Sequence, residues 1–223
     1  MDERLKKAIS ELKQRGFGVY AVNTKEEARE LLLQDLEYAQ TVGIGGSMSI
    51  QQLDIVNTLQ RKGKQVYWHW LTAENRTETQ KKALFADIYL ASANAVTLDG
   101  KLLFVDGCGN RTAAITFGPE RVILVIGKNK LVDDEKAAVL HIRTEACPLN
   151  ARRLNLRTPC ALIGACTDCV SKQRMCNVFL TLERCPSSHP VEVILVDEKP
   201  FINISTFWRN KSSHTFNGNR YRG

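Results

Sequence analysis

Apolar β-type runs alternate with helix-type runs from Phe17 to Ala91, and this alternation constrains the fold more than any other feature of the chain. A β-rich run covers 17–22. Thr24 followed by Glu27 has the spacing of a capping box and opens a helix. A buried-type strand at 41–44 runs into Gly45, Gly46 and Ser47, then into a helix with Ile50, Leu53, Val56 and Leu59 on one side. Strand 65–70, a polar helix-forming stretch at 72–85 and strand 87–91 follow. Strands that are apolar on both faces and separated by helices need cover on both sides. The pattern therefore predicts an α/β fold, a mostly parallel sheet with helices on both faces.

The rhythm then changes. Residues 95–97 and 101–105 flank Asp99-Gly100 and read as a β-hairpin. A strongly apolar strand at 122–126, a helix at 133–144 and late strands at 178–182 and 191–196 complete the pattern. At the front, Leu5, Ile9 and Leu12 share helical spacing. The expected organisation is one domain over 1–202, with a cysteine block at 158–177 set in a loop, and a polar, flexible tail over 203–223.

Composition narrows the class. Of 223 residues, 43% are hydrophobic and 25% charged, which is ordinary for a globular domain with a proper core. No run of about 18 apolar residues is present to span a membrane, and the amphipathic N-terminus lacks an apolar signal core. A cytoplasmic protein is expected. Lys and Arg number 31 against 24 Asp and Glu, a net charge of +7. Between Arg143 and Arg184, seven basic residues face three acidic ones. Aromatic residues do not interleave with these, which argues against nucleic acid and leaves an ordinary basic surface or a basic pocket for an anionic ligand.

Seven cysteines are present, and four of them form Cys160-x5-Cys166-x2-Cys169-x6-Cys176. A CxxC pair lets one turn present two sulfurs to one metal, and two further thiolates complete a tetrahedral or cubane set. A cysteine a few residues ahead of a CxxC resembles ferredoxin spacing more than paired zinc knuckles. An iron–sulfur cluster, most simply 4Fe-4S, is the expected cofactor, with zinc as the alternative. Arg152, Arg153, Arg157, Lys172 and Arg174 would offset the negative charge of such a site. Cys108, Cys147 and Cys185 stand apart and read as small apolar residues.

Two other segments carry ligand-binding chemistry. Gly45, Gly46 and Ser47 lie between a strand and a helix start, where backbone amides can meet an anion. Met48 replaces the third glycine of a dinucleotide fingerprint and no lysine follows, so neither a Rossmann nor a P-loop motif is present. Asn94, Asp106, Asn110 and Arg111 cluster near strand ends, where open α/β sheets bind ligands, and an arginine suits a carboxylate or phosphate. Asp99 and Asp106 are the candidate catalytic carboxylates.

The run SANAVTLDGKLLFVDGCGNR, together with GIGGSMSIQQL, CPLNARRLN and the cysteine block, resembles the LUD domain, or lactate utilisation, family in its short free-standing branch. The resemblance implies a fold of the NagB/RpiA/CoA-transferase-like superfamily. It further implies a part in oxidising lactate or a related hydroxy acid through iron–sulfur proteins. No flavin or nicotinamide motif is present, so redox partner subunits are expected. The alternative is a CoA-transferase-like or isomerase-like enzyme, or a small-anion-binding protein, with a structural zinc. A homo-oligomer is compatible with either.

Overall fold

A computed structural model describes residues 2–72 and 74–198. The tail expected at 203–223 lies outside the described residues. Helix α1 (Glu3–Gln14) is capped by Asp2, whose side chain accepts the Leu5 amide. Strand β1 (Gly18–Val22) leads to α2 (Lys25–Asp35), where Thr24 accepts the Glu27 amide as the capping-box spacing predicts. The reciprocal bond goes to the Asn23 amide rather than to Thr24. Then come β2 (Thr41–Ile44), α3 (Met48–Gln52), α4 (Val56–Arg61), β3 (Gln65–Trp68), α5 (Arg76–Leu84) and β4 (Ile88–Ala91).

The single helix expected after the glycine turn is broken into α3 and α4. Asp54 adopts φ of 46°, a left-handed conformation that Asp tolerates better than most residues. The break buries both Leu53 and Ile55. Residues two apart point to nearly opposite sides of an unbroken helix, so a straight helix would expose one of them.

Strands β5 (Ala95–Thr97) and β6 (Leu102–Asp106) form the expected hairpin, followed by α6 (Asn110–Thr116), β7 (Arg121–Gly127), β8 (Leu131–Val132) and α7 (Glu135–His141). A wide π-type turn, Ile142–Ala146, joins α7 to α8 (Cys147–Arg153). Helix α9 (Pro159–Ile163) and strands β9 (Val178–Leu182) and β10 (Val191–Val196) complete the described chain. Helix α9 departs from the loop expected at 158–177 over Pro159–Ile163, while 164–177 contains no helix or strand. Pro148 and Pro159 each sit in the first turn of their helix, α8 and α9, where no N–H partner is required.

The main sheet has the order β1-β10-β7-β4-β2-β3 with every neighbour parallel. One face packs Val42, Ile44, Leu90 and Ile123 against Ala28 and Leu32 of α2 and Leu59 of α4. The other face packs Tyr89, Leu124 and Val193 against Leu5 and Leu12 of α1, Ile115 of α6, and Val96 and Phe104 of a second sheet. That second sheet, in the order β8-β5-β6-β9, buries its far side on Ala138 and Ile142. The predicted α/β class with helices on both faces is what forms, with the small sheet as an added layer.

Candidate functional site

Strands β2 and β3 lie to one side of β4 in the main sheet, and β7 lies to the other. The loops leaving the C-terminal ends of β2, β4 and β7 therefore diverge around a crevice, the usual ligand position in an open α/β sheet. A cavity of about 350 Å³ opens there, lined by Ser47 and Ser49 after β2, Ser92 and Asn94 after β4, and Lys130 after β7. His141, Glu145, Asn150 and Arg153, from the helical run across the crevice, form the facing wall.

Arg111 is the buried floor of this site. Its guanidinium donates to Ser92 O (2.9 Å), Val105 O (2.6 Å) and Asn94 Oδ1 (2.8 Å). These three bonds leave two of its five N–H donors for a ligand. Asn94 is held in turn, because its Oδ1 also accepts the Val105 amide at 3.0 Å. Among the described residues no carboxylate is ion-paired with Arg111 or with Lys130. A smaller adjoining cleft runs from Arg111 past Asp106, Asn110 and Cys108 to Met175.

Lys130 is the second buried cation, 8% exposed. Its Nζ lies 2.6 Å from Ser92 Oγ and 3.4 Å from Ser49 Oγ, and the two hydroxyls lie 3.4 Å apart. Burial, and then the nearby Arg111 charge, lowers its pKa to about 7. The stability consequence has a definite sign. Between about pH 7 and 10.5 the unfolded chain holds this proton and the folded chain does not, so folding stability rises with pH across that window. Lys130→Met should remove the rise, as measured by denaturant unfolding at several pH values.

The structure separates the residues predicted for the site. Arg111 and Asn94 meet in the cavity. Gly46 and Ser47 line it, while Asn110 and Asp106 line the adjoining cleft. The glycine-turn amides are partly committed elsewhere. Gly45 N–H donates to Leu90 O, and Ser47 Oγ accepts the Ile50 amide as the α3 cap. Asp106 accepts the amides of Gly107, Arg111 and Thr112, which ties its carboxylate to the start of α6. Asp99 lines neither opening. It sits at the opposite end of the hairpin, bonded to Thr97 and bridged to Arg15 of α1 at 3.2 Å. Sequence reasoning missed Lys130 as a site residue. The available signal was a lysine three residues past a fully apolar central strand.

The cysteine segment packs against this site. Asn150 donates to Met175 Sδ at 3.2 Å, Asn177 N to Asp106 O at 2.9 Å, and Asn177 Nδ2 to Gly107 O at 3.1 Å. Arg174 braces the segment through the carbonyls of Cys169 and Cys176. Two sulfurs have polar neighbours. Asp168 N lies 3.4 Å from Cys166 Sγ, and Thr158 Oγ1 lies 3.3 Å from Cys160 Sγ. Cys147 is buried against Cys176. Burial, and then the nearby thiols Cys176, Cys160 and Cys166, push its pKa up to about 12. Among the described residues no three His, Cys, Asp or Glu side chains converge as a ready ligand set. The thiols are nonetheless near enough to influence one another, and the all-sulfur donor set is one that suits iron–sulfur clusters and zinc.

The family model for the LUD domain matches residues 5–196. No curated protein matches the sequence. The fold is similar to the crystal structure of a DUF162 family protein from Deinococcus radiodurans. The TM-score is 0.51 and the identity 14%, over 87% of this chain and 96% of that one, so the likeness is one of fold. No described helix is long and apolar enough to cross a membrane.

Proposed function

This chain belongs to the LUD domain family, involved generally in lactate utilisation, and on that premise we propose that it binds a small carboxylate such as lactate or its 2-oxo counterpart. The observation that carries the reading is the buried guanidinium of Arg111 beside the buried amine of Lys130, sharing one cavity with serine hydroxyls and lacking a carboxylate ion pair among the described residues. A carboxylate supplies the missing charge, and it can accept from a remaining N–H of Arg111 and from the serine hydroxyls. The serine hydroxyls and the His141–Glu145 pair on the facing wall (3.5 Å) are hydrogen-bonding partners for the substituent on C2. A volume of about 350 Å³ is within the usual range for small-molecule sites. Titration calorimetry with lactate, pyruvate and inorganic phosphate tests this. Saturable binding of a carboxylate is expected, and no binding of any of the three would reject the reading.

The redox part of the reading rests on the cysteines. Cys160, Cys166, Cys169 and Cys176 would hold an iron–sulfur cluster, which supplies one-electron chemistry when bound, in cooperation with partner subunits. The segment's contacts to Asp106, Gly107 and Asn150, which line the cavity and its adjoining cleft, support this reading. The basic residues Arg152, Arg153 and Arg174 favour a partner with an acidic face. The transferase alternative is weakened, since Asp99 lies outside the cavity and Asp106 is committed to three amides. After anaerobic purification, iron and acid-labile sulfide are expected. Cys169→Ser, like the other three, should lose most bound metal, whereas Cys108→Ser and Cys185→Ser should keep it. Zinc without sulfide would make the metal structural. Equal metal in Cys169→Ser and the parent would remove the site altogether.

A further inference from the structure

Lys130 does more in this cavity than supply positive charge. It leaves the C-terminal end of β7, a central strand whose side chains from Val122 to Ile126 are fully buried, so its backbone is held firmly. Its amine is placed between two hydroxyls, at 2.6 Å from Ser92 and 3.4 Å from Ser49. Arg111, the cavity's carboxylate-binding group, contacts the same Ser92 through the backbone carbonyl at 2.9 Å. Arg111 and Lys130 line the same cavity and contact the same residue, so a small acid held by Arg111 would be a neighbour of the amine. From this geometry, and resting on the carboxylate-binding reading above, we infer that Lys130 forms an imine with the keto carbon of a small 2-oxo acid.

The step balances without any further reactant. The neutral Nζ adds to the keto carbon, an N–C bond forms, and the C=O π pair moves to oxygen. A proton passes from nitrogen to that oxygen, giving a carbinolamine, and Ser92 and Ser49 are in reach to relay it. The nitrogen lone pair then forms the C=N bond as the C–O bond breaks, and the hydroxyl leaves as water with the remaining proton of the nitrogen. An amine must be unprotonated to attack, and burial beside another cation is a recognised way to keep it so. The charged and titratable groups facing Lys130 are Arg111 from α6, His141 and Glu145 from α7 and the turn after it, and Arg153 from α8. A 2-hydroxy acid fits the same cavity but has no carbonyl to trap. The site would therefore hold the oxidised member of the pair covalently and the reduced member reversibly.

The full chain is incubated with pyruvate and sodium cyanoborohydride, digested, and its peptides are mapped by mass spectrometry. The reduced adduct is expected on Lys130 and to saturate with pyruvate concentration. At pH 7 its neutral-amine fraction exceeds that of an ordinary surface lysine by about a thousandfold, so the other lysines should stay essentially unlabelled. Labelling should fall as the pH drops below about 7. Lactate should compete without leaving an adduct. Lys130→Arg should yield no adduct at any pyruvate concentration, and the mapping on the unmodified protein stands even where that variant binds weakly or folds poorly. If pyruvate binds and the Lys130 peptide is unmodified, the imine is overturned and the carboxylate-binding reading survives. If pyruvate neither binds nor labels, both fail. Adducts scattered over exposed lysines also overturn the imine.

Discussion

Arg111→Leu is expected to abolish carboxylate binding and to lower folding stability by about 3 kcal/mol. The guanidinium satisfies the buried carbonyls of Ser92 and Val105 and the side chain of Asn94. Leucine leaves two carbonyls without their donor, each costing about 1–3 kcal/mol, while relief of the repulsion with Lys130 offsets part of the loss. Arg111→Lys keeps the charge but has a single ammonium in place of a planar fork, so it should fall between the two in stability and bind weakly. Denaturant midpoints and calorimetry read the two effects separately. Parent-like binding in Arg111→Leu would show that the carboxylate site lies elsewhere.

Gly43→Ala should destabilise the protein by about 3 kcal/mol or more. Gly43 lies within β2, between Tyr67 of β3 and Tyr89 of β4. A methyl group there would overlap Ala83 O and meet Tyr89 Cδ2 at 2.8 Å. The first is backbone at the end of α5, so neither a rotamer change nor a small side-chain shift relieves the clash. A glycine inside a strand often marks a close backbone approach of this kind. Gly46→Ala is the control. Its nearest contact would be 3.6 Å from Trp70, an ordinary van der Waals distance, so near-parent stability is expected. Similar thermal midpoints for the two variants would contradict the packing argument.

These two glycines show why part of the site could be read in the sequence and part could not. A strand ending in Gly-Ile-Gly-Gly-Ser identified a tight strand-to-helix turn, and the turn does line the cavity. Which glycine is sterically required depends on α5, more than thirty residues further along, and no local pattern carries that information. Likewise, Asp99 and Asp106 both stand at hairpin-type positions and looked equivalent. The fold places one against α1 and the other at the start of α6, because the two ends of a hairpin face opposite ways.

The sequence by itself determined the layered α/β architecture. Continuous apolar runs such as 122–126 can be satisfied only in a sheet covered on both faces, and the periods of the intervening segments make them helices. It also singled out Arg111 and Asn94, which follow strands and which the fold brings into one hydrogen bond. The tertiary structure decided the rest. Lys130 meets Ser92 and Ser49 across 38 and 81 residues of chain, brought together because β2, β4 and β7 are adjacent in the sheet. Strand order arises from the packing of both sheet faces at once, so the identity of the residues sharing its C-terminal crevice is a property of the folded molecule.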